Sequence, residues 1–284
     1  MRVIIHGGAG GSPESPADRQ AVLDRAANRG ARADDPVAAV KVAINHLEGH
    51  PAFNAGVGGA VQSDGQVRTD AGIMTSDGTV GAVCSMGGVR DAISVADAVR
   101  VETPHVLLTG QHAVSLAAHV GIEPDVDLLT LSSRARWEET DPSPRFVDQL
   151  AAVGDRFGSG PQDTVGAVAS DGNRVVAGTS TGGRWHALAG RVGDVPQVGC
   201  GFFASEAGGV STTGAGEDIA RTTLARTVVA RMESGEPPQA ATDRALAQFD
   251  RQVSGTAGLI ALSTDGIIAS GFTSDAMQTS VAGS

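Results

Sequence analysis

The sequence predicts an α+β domain in which one sheet packs on another and helices lie outside. Three observations carry this reading. Two hairpins in the C-terminal half share one grammar: TVGAVAS, Asp171-Gly172-Asn173, RVVAGTST, and then GLIALS, Thr264-Asp265-Gly266, IIASGFT. In each, an Asp-Gly pair supplies the positive φ that a tight turn between apolar strands requires. Two amphipathic stretches, at about 216–233 and 238–253, lie between the hairpins and need a sheet face to cover. The chain has 284 residues, 41 % of them apolar, enough to bury a sizeable core.

From the N-terminus, residues 2–6 (RVIIH) read as a buried strand that ends in a Gly-rich turn, HGGAGG. Helical patterns follow at Ala17–Arg29 and Pro36–Glu48, the second opened by Asp34-Asp35-Pro36, with acids and a proline where a helix begins. Strands are expected at 66–75 and 79–86 around Ser76-Asp77-Gly78, then helices near 94–101 and 111–120. Residues 132–163 are polar and broken by Pro and Gly, with room for one short helix around 145–153. Such a segment reads as a linker or a functional loop. It runs straight into the apolar strand that starts at Thr164.

Composition removes several function classes. The net charge of −11 argues against nucleic acid. No stretch approaches the roughly 18 uncharged apolar residues of a membrane span. The N-terminus lacks the apolar stretch of a signal peptide, so a cytoplasmic protein is expected. Cys84 and Cys200 stand far apart with no CxxC partner, which suggests neither zinc nor a disulfide framework. Lys41 is the only lysine; an acidic, Lys-poor surface fits a salty, halophilic cytoplasm or GC-rich coding. HGGAGG lacks the GxGxxG spacing and the lysine of a phosphate loop.

The first hairpin brings hydroxyls together. With its turn at 171–173, Thr164 falls opposite residues 179–181, so Thr179 or Thr181 becomes its cross-strand neighbour at roughly 4.5–5.5 Å between Cβ atoms. The same pattern arises because Thr is a good strand former, and geometry alone leaves both readings open. Chemistry adds a constraint: a Thr hydroxyl needs a base to act as nucleophile, and none of the seven His residues sits in a nucleophile motif. Cleavage before Thr164 would free an α-amine that titrates at about pH 7.7–8 and can serve as that base.

Gln162-Asp163-Thr164-Val165-Gly166-Ala167-Val168 resembles the cleavage and nucleophile motif of the plant-type L-asparaginase/isoaspartyl peptidase family. Thr179-Ser180-Thr181-Gly182-Gly183, Gly190-Arg191-Val192-Gly193-Asp194 and Ser211-Thr212-Thr213-Gly214-Ala215-Gly216-Glu217 resemble its second-threonine, substrate-clamp and oxyanion motifs. HGGAG at 6–10 and Phe53-Asn54-Ala55-Gly56 fit its N-terminal half. Order and spacing hold from about residue 2 to residue 277.

The resemblance implies the four-layer αββα sandwich of N-terminal-nucleophile hydrolases. It implies one domain over 1–284, autocleaved between Asp163 and Thr164 into an α part (1–163, with a flexible linker at about 132–163) and a β part (164–284). It implies hydrolysis of L-asparagine and β-aspartyl dipeptides, with Thr164 as nucleophile oriented by Thr181 and supported by Asn54 and Thr179. Arg191 and Asp194 would hold the substrate carboxylate and ammonium within a pocket shaped by Val192, Gly193, Ala215 and Gly216. Thr213 and Gly214 would form the oxyanion hole. No cofactor is implied for catalysis. A structural sodium ion on the backbone carbonyls of Leu47, Glu48, His50, Phe53, Ala55 and Val57 is, as is a homodimer of cleaved protomers. In this family the HGGAG turn is linked to autocleavage. TSTGG at 179–183 differs from the TSTNG usual in the related glycosylasparaginases. The alternative from another class is an uncleaved, inactive homologue acting as a binding protein.

Overall fold

The computed structural model describes residues 1–140, 143–156 and 164–283. Strands β1 (Arg2–Gly10), β2 (Arg68–Thr75), β3 (Val80–Gly87), β4 (Leu107–Thr109), β5 (Val165–Ser170), β6 (Val175–Thr181) and β11 (Ala276–Gly283) form a seven-stranded sheet in the order β11-β1-β5-β6-β2-β3-β4. A second sheet has the order β10-β9-β8-β7, from β7 (Phe202–Ser205), β8 (Gly208–Gly214), β9 (Ala257–Ser263) and β10 (Ile268–Phe272). The chain is thus a mixed α/β fold built on two sheets.

Three apolar clusters hold these elements. Helices α1 (Pro16–Gly30), α2 (Pro36–Glu48), α3 (Ala92–Glu102) and α4 (Gly110–His119) cover one face of the larger sheet through Leu23, Val40, Ile44, Ile93 and Val99 against Ile5, Ile73, Val83 and Ala167. Helix α2 begins where expected, with the Asp35 carboxylate accepting from the Val37 and Ala38 N–H groups at 2.8 and 3.1 Å. Helices α8 (Leu224–Glu233) and α9 (Pro238–Gln252) pack Val228, Leu246 and Phe249 on Leu259 and Ala261 of the smaller sheet. A third cluster joins the sheets: Ile4, Met74, Val168 and Ala177 meet Phe202, Ile260 and Leu262. Phe202 sits in a notch at Gly72, where any Cβ would overlap its ring.

The hairpin over 165–181 forms with the expected turn, Gly172 taking φ +92 and Asp171 Oδ1 accepting from Asn173 N at 2.9 Å. Several elements differ from expectation. HGGAG is no turn: β1 continues through it to Gly10, with a register shift between His6 and Ala9 against β11. The helix expected over 216–233 breaks at Thr223, which adopts φ +47, into α7 (Gly216–Thr222) and α8. The segment read as a polar linker from 132 contains, besides the short helix expected there, α6 (Phe146–Arg156), a further helix α5 (Leu131–Glu138), capped by Thr130 and Ser133. Strands β4, β7, β8 and β11 appear where the sequence pattern showed none.

Candidate active site

In the β5–β6 ladder Val165 lies opposite Ser180 and Gly166 opposite Thr179. One step further, Thr164 stands opposite Thr181, which resolves the choice left by the hairpin. Alternation along a strand then sorts the side chains. Val165, Ala167 and Ala169 enter the helix-facing core, whereas Val168 and Ala177 enter the inter-sheet core. Thr164, Thr179 and Thr181 therefore face the second sheet. On the far side of β6, Asp70 pairs with Thr181 and shares that face.

A cleft opens at this end of the sheets, lined by Asn54, Thr164, Thr181, Gly183, Arg184, Arg191, Gly193, Asp194, Val195, Gly214 and Gly216. Most of the sequence-expected residues meet here. Asn54 is built in firmly: its Nδ2 donates to Gly183 O at 2.7 Å and its Oδ1 accepts from Ala60 N at 2.9 Å. Gly183 N donates to Thr181 Oγ1 at 3.2 Å, which leaves the Thr181 hydrogen available to the neighbouring threonine. Thr179 lies deeper, donating to Gly201 O at 2.8 Å. Thr213 is fully buried beside Gly214 and does not itself line the cleft. Val192 is exposed and does not line the cleft, and neither does Ala215, which precedes α7. Asp163 falls outside the described residues, and with it the Asp163–Thr164 bond.

Arg191 and Asp194 converge over Gly216: a Cβ there would lie 2.7 Å from Asp194 Oδ1 and 2.8 Å from Arg191 Nη2. Only a residue without a side chain allows this approach. Glu217 anchors the pair of arginines, accepting from Arg191 Nε at 2.8 Å and lying 3.4 Å from Arg184 Nη1. Burial alone would lower the Arg191 pKa, but the carboxylates of Glu217, Asp194 and Asp70 raise it overall. Burial lifts the Asp194 carboxyl to about 7, against the pull of Arg191. Burial likewise lifts Asp70 to about 7, opposed by its bond from Ser85 N and by Arg191. The site thus presents a fork-shaped cation and an acid side by side, flanked by two threonine hydroxyls. Such an array can hold a group bearing both a carboxylate and an ammonium.

Sequence reading missed Asp70 and Arg184 as parts of this region, whereas the buried His6 opens the HGGAG motif already singled out. For Asp70 a signal existed, since an acid inside the apolar run TDAGIM has to face something polar.

The carbonyls expected to hold sodium lie in one tight loop. His50 N donates to Leu47 O, Val57 N to Glu48 O, Phe53 N to His50 O and Ala55 N to Phe53 O. Each such oxygen keeps a second lone pair. Of the six, Phe53 O lies beside Gly58, where a Cβ would come within 2.8 Å of it and within 2.7 Å of Pro51 O, which is not one of the expected set. An all-oxygen set of neutral carbonyls suits a hard cation. Among the described residues, no group of His, Cys, Asp or Glu side chains could hold a metal ion, and no helix is long and apolar enough to cross a membrane.

The asparaginase family pattern matches residues 1–284. The chain is 36 % identical to an isoaspartyl peptidase/L-asparaginase of Danio rerio, over 96 % of this chain and 89 % of that protein. It is 36 % identical to a plant-type L-asparaginase of Pyrococcus furiosus and 37 % identical to one of Pyrococcus abyssi, in each case over 87 % of this chain and 84 % of the relative. The chain belongs to the asparaginase family.

Proposed function

We propose that this protein hydrolyses L-asparagine to aspartate and ammonia, and cleaves β-aspartyl dipeptides, through an acyl-enzyme on Thr164. The observation that carries this reading is the convergence of Thr164 and Thr181 with Arg191 and Asp194 in one cleft. The relatives' names, asparaginase and isoaspartyl peptidase, support the substrate class. Both substrates present the same amino-acid head group and the same β-carbonyl, so one site serves both.

The chemistry runs as follows. Breaking the Asp163–Thr164 bond frees the Thr164 α-amine. Arg191 takes the substrate α-carboxylate and Asp194 its α-ammonium, which directs the side-chain carbonyl to Thr164. The amine removes the Thr164 Oγ proton as Oγ attacks, and Thr181 orients the nucleophile. The negative charge that forms on the carbonyl oxygen is met by the Thr213 hydroxyl and the Gly214 N–H, each contributing a few kcal/mol. The amine's proton passes to the departing nitrogen, leaving ammonia or an amino acid. Water, activated by the same amine, then releases aspartate.

The three apolar clusters support the αββα layering of N-terminal-nucleophile hydrolases as one domain, cleaved into residues 1–163 and 164–284. The carbonyls of Leu47, Glu48, His50, Phe53, Ala55 and Val57 would hold a structural sodium ion and stiffen the loop that carries Asn54. The cleaved protomers assemble as homodimers in this reading.

The test is ammonia release from L-asparagine and aspartate release from a β-aspartyl dipeptide, for the wild type and Thr164→Ala. Activity in the wild type and none in the variant is expected. Activity retained by Thr164→Ala would remove the nucleophile from this account.

A further inference from the structure

We infer that the bulge in β1 is the element that aims the Thr213 hydroxyl at the reacting carbonyl, and that His6 is the positioning residue that holds it. The inference rests on Thr213 being the oxyanion donor of the proposed reaction.

Ala9 N donates to Thr213 Oγ1 at 3.2 Å, so Thr213 is an acceptor in this contact. Among the described residues no protein acceptor takes the hydrogen of Thr213 itself. That hydrogen is therefore uncommitted, and the direction of the Ala9 N–H sets where it points. Two residues earlier on β8, Ser211 joins a chain whose polarity is fixed at its far end. Thr179 spends its only hydrogen on Gly201 O at 2.8 Å. The 2.7 Å Thr179–Ser211 contact must then use the Ser211 hydrogen. Ser211 Oγ is left to accept across 2.9 Å from His6 Nε2, which assigns a proton to Nε2 in this chain. His6, Thr179, Ser211 and Thr213 are all fully buried, and burial drives the His6 pKa down to about 3 against a hydrogen bond with the Thr164 backbone, so the ring is neutral in the working range.

The bulge makes both contacts possible. His6 and Ala9 stand three apart on β1, whereas Ser211 and Thr213 stand two apart on β8. The extra residue is absorbed between His6 and Ala9, where Gly8 adopts φ +112. Gly166 completes the arrangement, since a Cβ there would overlap Ser211 Oγ and lie 2.5 Å from His6 Nε2. Two strands from opposite sheets are thereby locked in a register that serves the oxyanion donor.

The experiment is steady-state asparagine hydrolysis by wild type, His6→Leu, His6→Gln and Ser211→Ala, each also in a Thr213→Ala background. Removing one oxyanion donor costs about 10²–10³ in kcat; misaiming it is expected to cost at least about tenfold. We expect His6→Leu and Ser211→Ala to lower kcat by that factor with KM changed less than about twofold, and His6→Gln, which keeps an N–H donor, to restore most of it. In the Thr213→Ala background Ser211→Ala should change kcat less than about twofold, because its effect passes through Thr213, whereas His6 also contacts the Thr164 backbone. Full additivity in that background, or an unchanged kcat in Ser211→Ala, overturns the inference. Should His6→Leu fail to fold, Ser211→Ala still decides it, as it removes only one oxygen. An inactive wild type would instead overturn the proposed function on which the inference stands.

Discussion

Asp194→Asn should make the protein more stable and less active at once. The Asp194 carboxyl is buried, and its hydrogen bond from Thr212 Oγ1 is long at 3.4 Å. Its pKa rises from 3.8 to about 7. A raised acid pKa means that the folded state resists ionisation. Its contribution to stability is complete below pH 3.8 and is lost as pH climbs through about 7. A shift of that size corresponds to on the order of 4 kcal/mol against the fold once the group is fully charged. Asparagine keeps the shape and removes the ionisation. Asp194→Asn should therefore melt at the wild-type temperature near pH 4 and on the order of 10 °C higher at pH 8, at roughly 2–4 °C per kcal/mol for a chain of this size. Ammonia release should move the other way. Loss of a charge-assisted bond to the substrate ammonium, about 1.5–3 kcal/mol, lowers kcat/KM by about one to two orders of magnitude. The assay pairs thermal unfolding at pH 4, 6 and 8 with asparagine kinetics. A variant that melts below wild type at pH 8, or whose advantage does not grow with pH, refutes the reasoning about the site's electrostatics.

Arg191→Lys should lower kcat/KM by about tenfold or more, mainly through KM, because an ammonium cannot offer a planar fork to the substrate carboxylate while also pairing with Glu217; steady-state kinetics on asparagine decides this. Gly72→Ala should lower the melting temperature, since its methyl group overlaps the buried Phe202 ring and overpacking costs about 1–3 kcal/mol. Adding Phe202→Leu should recover part of that loss. Glu48 is buried, accepting from Ile93 N at 3.0 Å and Ser180 Oγ at 2.6 Å through one oxygen. Burial raises its pKa to about 8, so stability tied to it is lost as pH rises from 4.5 through about 8. Glu48→Gln should flatten that alkaline decline, read as melting temperature against pH.

What the sequence disclosed depended on whether local pattern matched tertiary role. The hairpin over 165–181 was legible because Asp171-Gly172 and flanking apolar strands point to one answer, and it placed Thr164 beside the right residues. Strand β8 was not legible, because Gly209, Ser211 and Thr213 replace the apolar half of its alternation with the small and polar groups that the site requires. HGGAG read as a turn for the same reason: its glycines signal chain reversal, but here they build a bulge. The break at Thr223 had no Gly or Pro to announce it. Helix α5 is polar over most of its length, and only its capping box and Trp137, packed beside Leu128 and Trp185, give it a place. Glu217 belonged to a motif by spelling, yet its pairing with Arg184 and Arg191 needed the fold to bring 33 and 26 residues of separation together.

The central claim is that Thr164 becomes the nucleophile through cleavage of the bond before it. Intact mass measurement of the purified protein, incubated and then denatured, tests this most directly. The account predicts two fragments whose masses correspond to residues 1–163 and 164–284, with ammonia release appearing in step with them, and a single uncut chain for Thr164→Ala. An active protein that remains one chain of 284 residues, or fragments that divide at another bond, would contradict it.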